Sequence, residues 1–259
     1  MNIIGIIPAR MASSRLPNKP LAKIIGVPMI GHVYFRSKMC DILNDVYVAT
    51  CDEQIQQYIE SIGGKTIMTS DKHERASDRT AEALLKIEKI TGKTVDIVVM
   101  IQGDEPMVTP EMISAAVYPL IERSSLQITN LMENIETENE HNDPAEVKVV
   151  VDKNNNALYF SREPIPSRKK GGVNIPMLKQ VCIIPFRRDF LLEYNLMDQT
   201  PLEIIESVDM NRLLENGIKI KMVMREEITL AVDTDEDLKK VNTLMKSDSL
   251  IKNYIKSED

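Results

Sequence analysis

The 259-residue sequence predicts an α/β fold, a doubly wound and mostly parallel sheet, and three observations predict it. Short apolar runs rich in Ile and Val recur along the first hundred residues. Amphipathic stretches of helical period lie between them. Pro, Gly and Asn punctuate the junctions. Strands that alternate with helices in this way pair in parallel through right-handed crossovers.

The elements follow in order. Ile3 to Ile7 is an apolar run closed by Pro8 and reads as a buried strand. Pro28 to Met39 reads as a helix with Pro near its first turn. Val46 to Ala49 is the second strand. Asp52 to Ile62 carries Ile55, Tyr58, Ile59 and Ile62 on one helical stripe, and Gly63-Gly64 ends it. Thr66 to Met68 is a strand, Ser77 to Ile90 a helix with Ala81, Leu84, Leu85 and Ile87, and Val95 to Ile101 a central strand.

The rhythm then changes. Glu133 to Asp143 is acidic and polar and reads as an exposed connection. Val147 to Val151 and Ala157 to Phe160 flank Asp152-Lys153-Asn154-Asn155-Asn156, a hairpin turn by composition. Ser161 to Pro176 holds three Pro and two Gly with Arg162, Arg168, Lys169 and Lys170, which suits a lid and equally an ordinary flexible loop. Asp189 to Leu196, Pro201 to Glu215 and Asp235 to Met245 read as helices. The expected organisation is a single domain, 1–259, with a small β-containing subdomain inserted at 145–190.

Composition removes several function classes. Lys plus Arg number 32 against 39 Asp plus Glu, a formal charge of −7, which argues against a general nucleic-acid binder. Cys40, Cys51 and Cys182 stand far apart, as reduced thiols do, and match neither a disulfide framework nor a zinc site. The first apolar run is too short for a signal peptide, and no stretch approaches the ~20 apolar residues of a membrane span. These features predict a cytoplasmic protein with no membrane contact.

Three segments carry the chemistry. The first is the loop Pro8-Ala9-Arg10-Met11-Ala12-Ser13-Ser14-Arg15-Leu16-Pro17-Asn18-Lys19-Pro20, which leaves the carboxyl end of the first strand. Open α/β sheets bind ligands at that edge, and Arg10, Arg15 and Lys19 with two hydroxyls suit a triphosphate. A merely basic surface loop is the alternative, and an acidic chain makes it the poorer one. The second is Gln102-Gly103-Asp104-Glu105-Pro106, at the end of the central strand. Its Asp104 suits Mg²⁺, which takes one or two protein carboxylates beside phosphate oxygens. The third is Val232-Asp233-Thr234, just ahead of a helix. Alone, Asp104 reads equally as a turn residue and Asp233 as an N-cap. Basic loop and strand-end carboxylates on one sheet are harder to dismiss together. The three His, at 32, 73 and 141, form no hydrolase centre, and no Ser-His-Asp or Cys-His nucleophile is visible.

These segments, with Val48-Ala49-Thr50, His73, Asp78-Arg79, Val147-Lys148-Val149-Val150, Ala157 to Arg162 and Thr200-Pro201-Leu202-Glu203, make the chain resemble the 3-deoxy-manno-octulosonate (Kdo) cytidylyltransferases. The likeness runs from Ile3 to about Leu244. It implies the nucleotide-diphospho-sugar transferase type of sheet, and transfer of CMP from CTP to a small acidic acceptor with release of pyrophosphate. It further implies Mg²⁺, a homodimer formed around Ala157 to Phe160, and a place in lipopolysaccharide biosynthesis. By the same resemblance Arg10, Lys19 and Asp104 are catalytic, and Asp104 and Asp233 hold the metal. Pro8, Ala9, Arg10, Ser13, Ser14, Arg15, Lys19, Thr50, His73, Ala76, Ser77, Arg79, Gln102 and Gly103 bind the nucleotide. Arg162, Gln180, Asp209 and Met210 face the acceptor, which makes 145–190 an acceptor and dimerisation subdomain.

The chain departs from the family where the acceptor binds. Gln180, Ile184 and Met210 stand where the family offers His, Tyr and Gln, and Glu74-Arg75-Ala76 replaces a Gln-Ser-Gly beside the nucleotide. A sugar hydroxyl left unpaired in a closed site costs ~1–3 kcal/mol, so these changes predict unmodified Kdo to be a poor acceptor. A modified ulosonic acid or a phosphonate is then the alternative. A purine-nucleotide transferase and a non-catalytic nucleotide-binding protein on the same fold are the remaining ones.

Overall fold

The computed structural model describes residues 1–13, 15–169, 175–227 and 229–255. By internal contacts the chain forms two compact units, Met1–Ser114 with Thr229–Asp259, and Ala115–Ile228. The segment 145–190 lies inside the second unit.

The first unit opens with β1 (Ile3–Ala9), all seven of whose residues are buried. A small hairpin follows, β2 (Lys23–Ile24) and β3 (Val27–Pro28), and then α1 (Met29–Lys38). Next come β4 (Asp45–Thr50), α2 (Glu53–Ser61), β5 (Thr66–Met68), α3 (Ala76–Thr91) and β6 (Ile97–Ile101). Within this unit the strands run in the order β6-β1-β4-β5, all parallel. Apolar residues fill both faces of β1 and β6, as burial under helices on each side requires. Ala9 pairs with Thr50, so the loops after β1 and β4 leave the same edge side by side. The loop after β6 joins them through Gly103. A Cβ there would lie 3.0 Å from the Pro8 carbonyl oxygen and 3.1 Å from Ile30, so a side chain would be crowded and glycine suits this approach.

The helix α4 (Pro110–Glu122) carries the chain across the division. The second unit then contains β7 (Thr129–Asn134), α5 (Glu138–Asn142), β8 (Lys148–Val151), β9 (Ala157–Ser161), β10 (Leu178–Val181) and β11 (Ile183–Arg187). It closes with α6 (Arg188–Asn195), α7 (Pro201–Glu206), α8 (Met210–Glu215) and β12 (Lys221–Arg225). Its sheet order is β12-β7-β10-β8-β9, with β12 parallel to β7 and the other pairs antiparallel.

Two expectations are corrected here. Glu133 to Asp143 is not simply an exposed connection. Glu133 ends inside β7 at 3% exposure, and Thr137 opens α5 with a capping box to Glu140. Glu133 tolerates burial because Lys179, its cross-strand partner, places Nζ 3.1 Å from its carboxylate and 3.2 Å from that of Glu146. Pro201 to Glu215 is two helices, broken at Ser207, whose φ of 52° is left-handed. The expected hairpin holds: Asp152 N–H donates to the Asn156 carbonyl at 2.8 Å. Of the segment weighed as a lid, residues 170–174 lie outside the described residues.

The chain returns to the first unit and forms α9 (Asp235–Met245). Val232, Val241 and Met245 bury with Leu16, Ile24 and Met29 in one small core. That core fixes the backbone on either side of both Lys19 and Asp233. A polar clasp fastens the following residues to α1. Arg36 Nε donates to Tyr254 Oη at 3.0 Å, and Tyr254 Oη lies 2.8 Å from His32 Nδ1. His32 Nε2 lies 2.7 Å from the Ile24 carbonyl, so it carries the proton and Nδ1 accepts from the phenol. Burial holds His32 down at about 4, which keeps the ring in the neutral form this arrangement needs.

Candidate active site

The basic loop and the two carboxylates meet in the first unit. Lys19 sits on a short turn, Lys19–Leu21, that follows Asn18 in the left-handed region. Its Nζ lies 2.7 Å from Asp104 Oδ2 and 2.8 Å from Asp233 Oδ1. Arg15 Nη2 takes the other oxygen of Asp233 at 3.0 Å. Burial disfavours the Lys19 ammonium, yet the two carboxylates outweigh it and raise its pKa. Val232 N–H donates to the Asp104 carbonyl at 3.0 Å, so the loops bearing the two aspartates are stitched by backbone.

The structure also settles what Asp233 does beside its helix. Thr234 is the N-cap of α9, with Oγ1 accepting from Asp237 N–H at 3.2 Å. Asp233 is therefore left to Lys19 and Arg15. Asp104 likewise spends its carboxylate on Lys19. Two half-buried carboxylates thus share one ammonium.

Arg10 is exposed at the start of the loop and reaches toward the β5–α3 turn, with Nη1 3.5 Å from the His73 carbonyl. Pro8 and Ala9 are the buried end of β1, and Ser13 Oγ accepts from Leu16 N–H at 3.4 Å. Ser14 lies outside the described residues. Thr50 is buried at the end of β4, and its Oγ1 accepts from Asp52 N–H at 3.1 Å. Ala76 begins α3, and Ser77 and Arg79 are buried in its first turn. Arg79 Nη1 donates to Thr69 Oγ1 at 2.5 Å, while its buried Nη2 has no hydrogen-bond partner among the described residues. A buried N–H of this kind is an offer to a ligand or water. Gln102 and Gly103 complete the edge beside Pro8.

The four residues expected at the acceptor all lie in the second unit. Arg162 donates to the carbonyls of Glu206 at 2.7 Å, Pro144 at 2.8 Å and Ser207 at 3.3 Å, so its guanidinium staples backbone there. Gln180 Nε2 donates to Asn130 Oδ1 at 2.6 Å. The Asp209 carbonyl accepts from Tyr194 Oη at 3.0 Å. Met210 is 1% exposed, and Ile184 in β11 is 3% exposed.

Two residues that hold this edge together escaped the sequence reading. Asp52 precedes α2 but makes no cap bond. Its Oδ2 instead accepts from Met11 N–H at 2.8 Å and tethers the basic loop. Glu82, on α3, accepts from Ser70 N–H at 2.9 Å and pairs with His73 and Lys86. Asp52 could have been suspected from its place just past a parallel strand. Glu82 gives no such signal, since Glu four residues before Lys is ordinary on a helix surface.

Comparison with known proteins identifies relatives of the whole chain. Residues 4–220 match the family described as Cytidylyltransferase. The 3-deoxy-manno-octulosonate cytidylyltransferase of Geobacter metallireducens is 41% identical over 251 residues, covering 93% of this chain and 96% of its own. That of Fusobacterium nucleatum is 42% identical over 250 residues, covering 96% and 99%. A solved CMP:2-keto-3-deoxy-manno-octonic acid synthetase complexed with CTP superposes with a TM-score of 0.86 at 38% identity, over 95% of this chain and 99% of that one. A thymidylyltransferase-like structure from Bacillus anthracis, at 19% identity and a TM-score of 0.66, shares the fold alone.

Proposed function

The chain belongs to the 3-deoxy-manno-octulosonate cytidylyltransferases, and from that membership we propose that it transfers CMP from CTP to Kdo with the help of Mg²⁺. It is a nucleotidyltransferase. The observation that carries the metal and phosphate roles is the single ammonium of Lys19 held between Asp104 and Asp233. A carboxylate pair that already accommodates one cation fits Mg²⁺, and Asp104 and Asp233 would hold it. When bound, Mg²⁺ neutralises phosphate charge and orients the oxygens it touches.

The protein's own groups account for the rest. Arg10, Arg15 and Lys19 supply fixed positive charge for the triphosphate, which accumulates negative charge as pyrophosphate departs. Arg79 and the turn before α3 line the nucleoside. An acceptor hydroxyl attacks the α-phosphorus in line, the bond to pyrophosphate breaks and the hydroxyl proton passes to solvent, so positioning is the main task.

Kdo is favoured over a changed acceptor by the burial of Ile184 and Met210. Both are almost wholly buried, and their departure from the family pattern reads as a change of packing. Gln180 is likewise engaged, with Asn130. Steady-state kcat/KM with CTP and Kdo should reach on the order of 10⁴ M⁻¹s⁻¹ or more. A value a hundredfold lower, with a modified ulosonic acid or a phosphonate faster, would restore the changed-acceptor reading.

A homodimer and a cytoplasmic place in lipopolysaccharide biosynthesis complete the proposal. β9 comes last in its sheet's strand order with Leu158 60% exposed, and an exposed apolar side chain on that strand suits contact with a second copy. Sedimentation at micromolar concentration should give a dimer, and a monomer there would remove that part. Among the described residues no helix is long and apolar enough to cross a membrane. Cell fractionation should place the protein with CTP in the cytoplasm, and recovery elsewhere would overturn that location.

A further inference from the structure

We infer that Glu82 is a positioning residue for the nucleotide: its carboxylate holds the His73 ring and the Ser70–Arg75 turn in the arrangement that receives CTP. The inference rests on the nucleotide placement proposed above and adds a residue outside the motifs that carry it. Glu82 lies on α3, seven residues into the helix, and is itself half-buried. An ordinary surface pair with Lys86 would occupy one carboxylate oxygen, and here Oε1 takes it at 2.7 Å. The other oxygen does different work. Oε2 accepts from Ser70 N–H at 2.9 Å and from His73 Nε2, so one atom bonds both the start and the middle of the turn.

The neighbours close the same turn from other sides. Lys86 Nζ, steered by Glu82, also donates to the Met68 carbonyl at 2.8 Å, at the end of β5. Thr69 N–H donates to the Thr50 carbonyl at 2.8 Å, and Thr69 Oγ1 accepts from Arg79. Arg10 approaches the His73 carbonyl at 3.5 Å. The turn thus touches the basic loop on one side and Arg79 on the other. Burial would push the Glu82 carboxyl up, but Lys86, Ser70 N–H and His73 bring it down to about 2, so the anion persists across the working pH range. Pairing through Nε2 also fixes the ring, because that nitrogen must carry a proton to donate to the carboxylate.

The test is CTP affinity measured directly. Isothermal calorimetry with CTP and Mg²⁺ should give a Kd raised roughly 10-fold in Glu82→Ala and less in Glu82→Gln, which still accepts from Ser70 N–H. The KM for CTP should rise in step, with kcat and the acceptor KM within about a factor of two. In a His73→Ala background the Glu82→Ala effect should shrink, because the ring it positions is gone. A folded Glu82→Ala protein with wild-type CTP affinity would overturn the inference, as would a Glu82→Gln protein weakened as much as Glu82→Ala or effects that add fully in the double variant. Wild-type protein that binds CTP but transfers nothing to Kdo would defeat the proposed reaction and leave this test standing. Wild-type protein that binds no CTP would defeat both.

Discussion

Asp104→Asn is expected to lose about 10³-fold or more in turnover while melting within a few degrees of wild type. The substitution keeps the size of the side chain and one acceptor oxygen toward Lys19. It also leaves intact the bond from Val232 N–H to the Asp104 carbonyl, so the two loops stay stitched. What disappears is one of the two negative charges that face the Lys19 ammonium. If those charges hold Mg²⁺ during transfer, halving them removes the cation where phosphate charge develops. Pyrophosphate release measured against added Mg²⁺ reads this directly. Turnover that persists in excess chelator would show that the carboxylates serve only to anchor Lys19.

Lys19→Ala should lower kcat/KM by roughly 10²–10³-fold, about 3–4 kcal/mol of lost transition-state stabilisation. The same change has a second readout without turnover. With the ammonium gone, Asp104 loses the cation it shares with Asp233, and Arg15 alone remains against Asp233, so the half-buried carboxylates are less compensated. The variant should therefore melt lower than wild type in chelator, and Mg²⁺ alone should raise its melting temperature by more than it raises wild type's. A variant indifferent to Mg²⁺ in both stability and rate would separate Lys19 from the metal and reduce the loop to surface.

The parts of the fold and site that could be read from sequence are those coded locally. An Ile- or Val-rich run closed by Pro8, or by Gln102-Gly103, marks the carboxyl end of a parallel strand, and such ends share one edge. That logic is enough to bring Lys19 and Asp104 together over 85 residues of chain. Asp233 was ambiguous because Thr234 beside it is an equally good cap. The deciding residue was Asp237, three positions past Thr234, which completes the capping box. Other features depend on partners that no local pattern reveals. Glu133 reads as solvent-facing until Lys179 arrives across the sheet. Ser207 breaks the helix after Pro201 in a left-handed conformation, with no Gly or Pro to announce it. Glu82 resembles any charged helix residue until the turn folds back onto it.

The first unit is assembled from two separated stretches of chain, and this sets an order of events during synthesis. Lys19 and Asp104 leave the ribosome early, yet Asp233 emerges only after the whole of 115–228, a delay on the order of ten seconds at ordinary elongation rates. Until then Leu16, Ile24 and Met29 lack the apolar cover that Val232, Val241 and Met245 supply. The second unit is continuous in sequence. A polypeptide halted before Val232 would carry every cation of the basic loop with one of the two carboxylates that hold Lys19. It would be an incomplete enzyme with a sticky flank, and prompt proteolysis is its expected fate.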